Sequence, residues 1–293
     1  MKEFENRAAV VTGAASGIGF AAARAFAKLG MRVALLDART DVVAASAASI
    51  QKTGATAIGL AVDVSDEHSV QNAARRIAAE LGSVDLLMNN AAVFLRGGAI
   101  AELEDDVWRW LIDVNLFGPI HCVRSFLPHI REHGRGGHIV NTSSISGFVV
   151  RDRKNGAYAA TKSALVSYSE ALRFDLEGSG IGVSVALPGA VASDFYLTSA
   201  EHRGELGGPN LYPTTPPDTA AGMTPAEVAA RIIDGIRADR FFIATHTETR
   251  PMVESRLAEL MAAYDAAAAW SGMGSGIGSD GPAGANGVRP LGV

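Results

Sequence analysis

Residues 8–19 read Ala-Ala-Val-Val-Thr-Gly-Ala-Ala-Ser-Gly-Ile-Gly, an apolar run that leads into three closely spaced glycines. The apolar run predicts a strand buried on both faces, and the Ala-rich stretch 18–29 predicts a helix directly after it. Glycines at such a turn allow the backbone to approach a ligand closely, and the helix N-terminus favours an anion. The stretch therefore predicts a strand–turn–helix unit that binds a phosphate group, with a tight turn without ligand as the alternative.

Strand and helix patterns alternate over the first two thirds of the chain. Short runs rich in Val, Leu and Ile predict strands at residues 8–11, 32–36, 56–62, 84–88, 138–141 and 182–186. Longer amphipathic stretches predict helices at residues 18–29, 42–53, 67–81, 107–130 and 158–177. Because this alternation is typical of a parallel sheet covered by helices on both faces, we predict a doubly wound α/β fold.

The pattern loosens after residue 186. Residues 194–222 hold several glycines and prolines and predict an irregular, functional segment, which we call the lid. A capping box at Thr224, Pro225 and Glu227 then predicts a helix, which is followed by a strand at 241–244. A second late helix and a flexible Gly-rich tail complete the chain. We thus expect one domain over residues 1–250, a helical extension over 251–270 and the tail over 271–293.

The composition excludes several classes of protein. Of the 293 residues, 48% are apolar and 19% are charged, and the formal net charge is -5. A weakly acidic chain offers no general attraction to nucleic acid or to an anionic membrane, and no apolar run reaches membrane-spanning length. The single cysteine, Cys122, excludes a disulfide framework, and the histidines show no metal-ligand spacing. We expect a cytoplasmic protein with no metal, nucleic-acid or membrane partner.

Two carboxylates close predicted strands. Asp37 ends the second strand, 20 residues beyond the middle glycine, where it can accept hydrogen bonds from adenosine ribose hydroxyls and repel a 2′-phosphate. Asp63 ends the third strand, where it could meet an adenine amino group. The alternative for both is helix capping. Thr40 and Asp41 are at least as well placed as Asp37 to cap the helix at 42, and Asp63 or Ser65 could begin the helix at 67.

With these features the sequence resembles the short-chain dehydrogenase/reductase family. Residues 89–92, Asn-Asn-Ala-Ala, match the family's Asn-Asn-Ala-Gly segment and depart from it at Ala92. Further matches follow at Asn115, Ser144, the Tyr158-x-x-x-Lys162 pair, Pro188-Gly189 and Ser193. The resemblance covers residues 5–245. It implies a Rossmann fold with a parallel sheet of seven strands, a nicotinamide cofactor, and hydride transfer to or from an alcohol or ketone.

The functional residues of the family carry over position by position. The resemblance implies a catalytic set of Asn115, Ser144, Tyr158 and Lys162, in which Ser143 and Ser146 are rivals of Ser144 by position. It implies that the cofactor contacts Gly13, Ser16, Gly17, Ile18, Gly19, Asp37, Asp63, Val64, Asn90, Ala91, Tyr158, Lys162, Pro188, Gly189, Val191 and Ser193. We expect NAD as the preferred cofactor because Asp37 disfavours a 2′-phosphate, with NADP as the alternative that Arg39 would favour.

The spacing of Tyr158 and Lys162 suits proton transfer. Residues four apart share one helix face, so the ammonium and an oxidised nicotinamide would both lower the phenol pKa from its usual value of about 10. Ser144 would hold the substrate oxygen beside Tyr158. Asn115 is unfavourable inside a helix, which predicts a local kink holding a water that links Lys162 to solvent.

Substrate identity depends on residues 93–98, residues 145–157 and the lid. Their apolar side chains favour a bulky aryl or alicyclic secondary alcohol or ketone over a small hydroxy acid: Phe94, Leu95, Phe148, Val149, Val150, Phe195, Tyr196 and Leu197. The lid and the late helix are similar to those of family members that act on bulky secondary alcohols, including the Cα-dehydrogenases of lignin-derived aryl ethers.

Other functions stay open at this stage. A β-ketoacyl reductase would use NADPH and often carries a basic residue where Ser16 stands. A dinucleotide sensor or a structural scaffold would not need the complete catalytic set. The family also pairs its long helices, here 107–130 and 158–177, across two-fold axes, which implies a homotetramer or a homodimer. Small residues would permit that approach, unless they pack internally against the sheet: Ala159, Ala160, Ser163, Ala164 and Ser167.

Overall fold

The structure is a computed structural model that describes residues 1–95, 97, 99–150, 154–201 and 221–270. Of residues 200 and 201 it describes the backbone only. The chain divides into one unit over Met1–Val253 and a second unit that begins at Glu254. The boundary lies three residues beyond the predicted end of the domain. The predicted tail over 271–293 and most of the predicted lid fall outside the described residues.

Seven parallel strands form one sheet in the order β3-β2-β1-β4-β5-β6-β7. The strands are β1 Ala8–Thr12, β2 Arg32–Asp37, β3 Ala57–Ala61, β4 Leu86–Asn89, β5 Gly137–Thr142, β6 Ile181–Leu187 and β7 Phe242–Ala244. The chain builds outward from β1 to β3 and then returns to place β4 on the other side of β1. The predicted doubly wound fold is confirmed, and its ligand crevice is expected where the strand order reverses, beyond the carboxyl ends of β1 and β4.

Nine α-helices are present in the described part of the chain. They are α1 Gly17–Lys28, α2 Thr40–Gln51, α3 Glu67–Leu81, α4 Asp105–Ile112, α5 Gly118–Glu132, α6 Gly156–Asp175, α7 Phe195–Glu201, α8 Pro225–Arg237 and α9 Arg250–Ala268. The capping box predicted at the start of α8 is present, with the Thr224 side chain and Glu227 bonded reciprocally. Helix α3 is capped by Asp66, so neither Asp63 nor Ser65 begins it.

Two hydrophobic cores cover the two faces of the sheet. Successive strand residues point to opposite faces, so Val10 enters the core beneath α3, α4, α5 and α6 while Val11 enters the core beneath α1, α2 and α8. Phe126 and Phe26 are fully buried centres of these two cores. Cys122 packs inside the first core, where burial raises the pKa of its thiol to about 12. Cys122 therefore contributes to packing in this core.

The helix predicted over 107–130 is interrupted. A π-helical turn, Asp113–Phe117, separates α4 from α5, and the Gly118 N–H donates to the Asp113 carbonyl five residues earlier. Pro119 has no N–H for the Asn115 carbonyl four residues before it, so a regular α-helix cannot continue through this point. The expected kink at Asn115 is thus present and has a backbone cause.

The lid differs from the expectation in its first part. Helix α7 occupies Phe195–Glu201, where the sequence predicted irregular structure throughout 194–222. The Asp194 carbonyl accepts the Thr198 N–H at 2.7 Å, and the Ser199 hydroxyl accepts the Phe94 N–H at 3.2 Å. The first contact is local to α7, whereas the second ties α7 to the segment after β4, a long-range contact that local composition does not reveal.

Candidate active site

The glycine-rich turn after β1 is held by the segment after β4. Gly13 and Gly17 have φ values of +61° and +57°, which only glycine adopts without strain. The Asn90 side-chain amide donates to the carbonyls of Thr12 and Gly13 at 3.1 and 3.2 Å. A Cβ on Gly13 would lie 2.7 Å from Ala91 Cα, so the two segments can approach this closely only with glycine at position 13.

The open end of α1 fits a diphosphate. The Ser16 side chain makes no capping hydrogen bond, and the first turn of α1 carries no acidic residue. The backbone N–H groups of that turn therefore face a cleft with the positive end of the helix dipole behind them. Ala92, where the sequence departs from the family pattern, has no positive φ, so alanine is tolerated there.

One cleft collects the predicted cofactor residues. It runs from the α1 turn past the ends of β2 and β3 on one side and past β5 and β6 on the other. Its lining includes Gly13, Ser16, Gly17, Ile18, Asp37, Asp63, Val64, Asn90, Ala91, Tyr158, Lys162, Pro188, Gly189, Val191 and Ser193. Gly19 does not line the cleft. It packs beneath the turn, where a Cβ would collide with the Gly13 carbonyl oxygen.

Asp37 and Asp63 mark one end of the cleft. Asp37 Oδ2 accepts the Ala15 N–H at 3.1 Å, and Oδ1 accepts the Arg39 N–H at 3.1 Å. Asp63 accepts hydrogen bonds from the backbone and hydroxyl of Ser65 at 2.9 and 2.7 Å. Neither carboxylate caps a helix. The N-cap residue of α2 is Arg39, and its side chain makes no capping hydrogen bond. Both remain placed to meet an adenosine.

Ser144, Tyr158 and Lys162 meet at the other end. Lys162 Nζ donates to the Thr142 carbonyl at 3.0 Å and lies 5.6 Å from the centre of the Tyr158 ring. The Ser144 side chain hydrogen-bonds the Tyr158 phenol. Of its rivals, Ser143 donates its hydroxyl hydrogen bond to the Lys162 carbonyl at 2.9 Å, and Ser146 is not part of the cleft lining.

Burial controls the ionisation of this pair. Burial raises the pKa of Tyr158, the nearby Tyr196 raises it further, and the hydrogen bond from Ser144 lowers it. Burial also lowers the pKa of Lys162 to about 7. The lowering of the phenol pKa that we expect from the Lys162 ammonium and an oxidised nicotinamide stays a prediction. Burial is the largest of these influences on the pKa of Tyr158, so the phenol is neutral near pH 7.

Asn115 joins three elements. Its side-chain oxygen accepts the Val93 N–H at 2.8 Å, and its amide donates to the Val93 carbonyl at 3.0 Å and to the Thr161 hydroxyl at 3.2 Å. The side chain is fully buried. It thus fixes the segment after β4 against α6, three residues from Tyr158. The Asn115 side-chain nitrogen donates to two acceptors, so both of its hydrogens are paired. The backbone around Asn115 belongs to the π-helical turn and departs from regular α-helix.

Aromatic rings surround the Tyr158 ring. Phe94 lies edge-on to it with centroids 4.9 Å apart, and Phe195 lies 6.3 Å away. Tyr196 packs edge-on to Phe94 at 4.6 Å. The other predicted wall residues lie elsewhere: Leu95 is in the core, Phe148 packs on Phe242, Val149 is half-buried, and Val150 and Leu197 are exposed.

Two features of the site were not anticipated from the sequence. The Thr142 carbonyl receives Lys162, and its position at the end of β5 was the available signal. His246 is buried against the loop that contains Gly189. Within the described ranges, no cluster of His, Cys, Asp and Glu could hold a metal ion, and no helix is long and apolar enough to cross a membrane.

Comparison with known proteins places this site in a family. A family model of short chain dehydrogenases matches residues 7–204. A C alpha-dehydrogenase from Sphingobium sp. strain SYK-6 is 32% identical over 261 residues, covering 87% of this chain and 85% of that protein. The chain belongs to the short-chain dehydrogenase family, and it is an NAD(P)-dependent oxidoreductase of alcohols and ketones. The predicted resemblance, including the Cα-dehydrogenase branch, is confirmed.

Solved structures agree in fold and differ in cofactor. A short chain dehydrogenase/reductase from Burkholderia phymatum in complex with NAD has a TM-score of 0.82 and 32% identity, covering 90% of this chain and 97% of that one. A short chain dehydrogenase from Burkholderia cenocepacia in complex with NADP has a TM-score of 0.69 and 28% identity, covering 83% and 96%. A nicotinamide dinucleotide is therefore the cofactor class.

Proposed function

We propose that the protein interconverts a bulky, apolar secondary alcohol and its ketone, with Tyr158 as general acid and base. The observation that carries the proposal is the convergence of Ser144, Tyr158 and Lys162 at one end of a cleft whose other end fits an adenosine diphosphate. A bound nicotinamide would supply the acceptor or donor of the hydride. The chain would supply the proton path and the position of the substrate.

The proton path begins at Tyr158. In ketone reduction, the neutral phenol donates its proton to the carbonyl oxygen as negative charge develops there, and in alcohol oxidation it receives the hydroxyl proton. Ser144 donates a hydrogen bond to the same oxygen and holds it beside the phenol. Lys162 stabilises the phenolate when its ammonium turns from the Thr142 carbonyl toward the cleft. Asn115 acts as a positioning residue between α6 and the segment after β4.

The walls around Tyr158 support an aryl or alicyclic substrate. Phe195 and Tyr196 line the catalytic end, where a flat apolar group can pack edge-to-face, and the buried Phe94 ring packs against both of them. Apart from the catalytic Lys162, no charged residue among the described lining of this end would pair with the carboxylate of a small hydroxy acid. The name of the Sphingobium relative, a C alpha-dehydrogenase, agrees with this substrate class.

We propose NAD as the preferred cofactor. Asp37 lies where its carboxylate would accept the ribose hydroxyls, and a 2′-phosphate would bring a second anion against it. Arg39 is the opposing influence, since its guanidinium lies in the same part of the cleft. The carboxylate ends a strand and accepts two backbone N–H groups, which hold it in place at the adenosine end of the cleft.

An alcohol panel tests the proposed reaction. Purified protein is mixed with NAD or NADP and with 1-arylethanols, alicyclic alcohols or small 2-hydroxy acids, and absorbance in the reduced-nicotinamide band is followed. We expect turnover of the bulky alcohols, loss of turnover in Tyr158→Phe, and no turnover of the hydroxy acids. Turnover of β-ketoacyl thioesters with NADPH alone would support a β-ketoacyl reductase instead, and tight NADH binding without turnover of any substrate would support a sensor.

The assembly state is a separate proposal. We propose a homodimer or homotetramer formed through α5 and α6, because Ala160, Ser163 and Ser167 are exposed on α6 and would let a second copy approach closely. Ala159, which we also placed on that surface, is instead buried inside the protein. Light scattering at micromolar concentration should give a mass at least twice that of the chain, and a monomer mass would contradict the proposal.

A further inference from the structure

His246 lies immediately behind the loop that follows β6. Its Nδ1 accepts the Gly189 N–H at 2.9 Å, and its Nε2 is 2.8 Å from the Ala190 carbonyl oxygen. Because a backbone N–H can only donate, Nδ1 carries no proton, and Nε2 carries the proton that it donates to Ala190. The imidazole is only 2% exposed and therefore makes both contacts without competition from solvent.

The ring also explains the glycine at position 189. A Cβ on Gly189 would lie 2.8 Å from His246 Cγ and 2.9 Å from Cδ2, which is closer than side chains pack. The imidazole thus occupies the space that any other residue at position 189 would need. The two positions are 57 residues apart in sequence and form one unit in space.

The loop that His246 supports forms a wall of the cleft. Pro188, Gly189 and Val191 line the cleft at the end that holds Ser144 and Tyr158. The Pro188 carbonyl accepts the Ile145 N–H at 2.9 Å and lies 3.4 Å from the Ser144 hydroxyl. The loop is therefore hydrogen-bonded to the catalytic serine on one side and to the imidazole on the other.

Neighbouring groups secure the imidazole in turn. The Thr245 hydroxyl lies 2.8 Å from Nδ1, and the Thr249 hydroxyl donates to the His246 carbonyl at 2.6 Å. Arg231 donates to the Thr245 carbonyl. On the far side of the loop, the Met223 N–H donates to the Ala190 carbonyl at 3.1 Å. The Ala190 carbonyl would thus keep one donor if the imidazole were removed, but the Gly189 N–H would have no acceptor among these groups.

From this geometry we infer that His246 is a positioning residue for the nicotinamide end of the cofactor, acting through Gly189 and Ala190. The inference rests on the proposed function for the assignment of that end of the cleft. It predicts a selective defect. Loss of the imidazole should weaken binding of the nicotinamide ring and leave binding of the adenosine diphosphate portion unchanged, because Asp37 and the glycine-rich turn make no contact with His246.

Two probes separate these effects. NADH contains the nicotinamide ring, whereas ADP-ribose contains the rest of the cofactor and lacks the ring. We expect His246→Leu to weaken NADH binding about ten-fold, the factor typical of one lost buried hydrogen bond, while the dissociation constant of ADP-ribose stays within about two-fold. His246→Asn, whose side-chain oxygen can replace Nδ1 as the acceptor, should recover most of the lost NADH affinity.

Matched controls distinguish positioning from general destabilisation. Thr249→Val removes a hydrogen bond in the same turn without touching the ring, so it should lower the melting temperature and leave both affinities unchanged. Gly189→Ala pushes a methyl group against the ring and should reproduce the selective loss of NADH binding, which provides a second measurement if His246→Leu does not fold.

The outcomes are separable from the proposed function. If the unmodified protein binds NADH no more tightly than ADP-ribose, the assignment of the nicotinamide end fails, and the proposed function fails with it. If the unmodified protein prefers NADH and the folded variants His246→Leu and Gly189→Ala keep that preference, the role of His246 is overturned. Equal weakening of both probes also overturns it, because the histidine would then support the whole domain.

Discussion

Arg39 lies across the carboxylate of Asp37, with Nε 3.0 Å from Oδ1 and a terminal nitrogen 3.2 Å from Oδ2. The same terminal nitrogen donates to the Ser16 hydroxyl at 3.0 Å. The adenosine end of the cleft therefore contains a carboxylate that disfavours a 2′-phosphate and a guanidinium that favours one. Cofactor selectivity depends on the balance between these two groups.

Asp37→Ala should shift selectivity toward NADP. Removing the carboxylate deletes the acceptor for the ribose hydroxyls and frees Arg39 to pair with a 2′-phosphate. We expect the ratio of kcat/KM for NAD to that for NADP to fall about ten-fold or more, which corresponds to ~1.4 kcal/mol. Steady-state kinetics with both cofactors at a fixed alcohol concentration measure this ratio.

Arg39→Ala provides the matched control for that change. The substitution leaves the Asp37 carboxylate in place and removes the cation. It should therefore raise the ratio of kcat/KM for NAD to that for NADP. If the unmodified protein already uses NADP at least as well as NAD, and Arg39→Ala abolishes that use, the arginine dominates and the proposed NAD preference is wrong.

Tyr158→Phe should abolish turnover and preserve cofactor binding. Phenylalanine keeps the ring contacts with Phe94 and removes only the proton donor, so kcat should fall by about 10² to 10⁴. NADH affinity should stay within about three-fold. Tyr168→Phe is the control, because Tyr168 lies on the same helix, outside the cleft lining, and packs against the core. Near-normal turnover in Tyr158→Phe would remove this tyrosine from the mechanism.

Lys162→Met should change the pH dependence of stability. Burial lowers the pKa of Lys162 from 10.5 to about 7. Between these values the unfolded chain holds a proton that the folded protein has lost, so the free energy of unfolding contributed by this group rises with pH. Relative to the variant, the unmodified protein should gain about 1 kcal/mol per pH unit in this window.

Urea unfolding of the cofactor-free protein at pH 7 and at pH 9 measures that difference. The stability of Lys162→Met, measured relative to the unmodified protein, should be greater at pH 7 than at pH 9. The variant should lack activity. Lys52→Met, at an exposed position after α2, should show no such pH dependence. A constant difference between Lys162→Met and the unmodified protein at both pH values would contradict the prediction.

Asp85→Ala should destabilise the protein without changing the cleft. Asp85 is fully buried just before β4, accepts the Ala8 N–H at 2.9 Å, and pairs with Arg7 and Arg135 at 3.4 and 3.1 Å. The Arg7 and Arg135 side chains reach solvent, so the main loss on removing the buried carboxylate is the acceptor of the Ala8 N–H, which costs about 2 kcal/mol. Denaturant unfolding should show this loss while kcat of the folded enzyme stays unchanged.

An exposed ion pair serves as the comparison for Asp85. The Asp234 and Arg240 side chains are 68% and 59% exposed and lie 3.0 Å apart. Asp234→Ala should therefore cost less than about 1 kcal/mol. Equal losses for the two variants would show that the buried cluster contributes no more than a surface pair.

Local sequence patterns were sufficient for the framework. Continuous apolar strands alternating with amphipathic helices predicted the parallel sheet, and the ends of most elements were within two residues of the structure. The glycine-rich turn and the Tyr158–Lys162 spacing were also local, because turn geometry and helix periodicity act over a few residues. The break at Asn115 was expected from its poor helix propensity, and Pro119 supplied the backbone reason.

The sequence by itself determined the fold, the position of the glycine turn and the shared helix face of Tyr158 and Lys162. Only the tertiary structure decided that Ser144 rather than Ser143 meets the phenol, that Arg39 covers Asp37, and that the imidazole of His246 supports Gly189. It also decided that three of the eight candidate wall residues surround Tyr158, namely Phe94, Phe195 and Tyr196. These contacts join residues on different elements, so they depend on strand order and on side-chain packing, which no local pattern encodes.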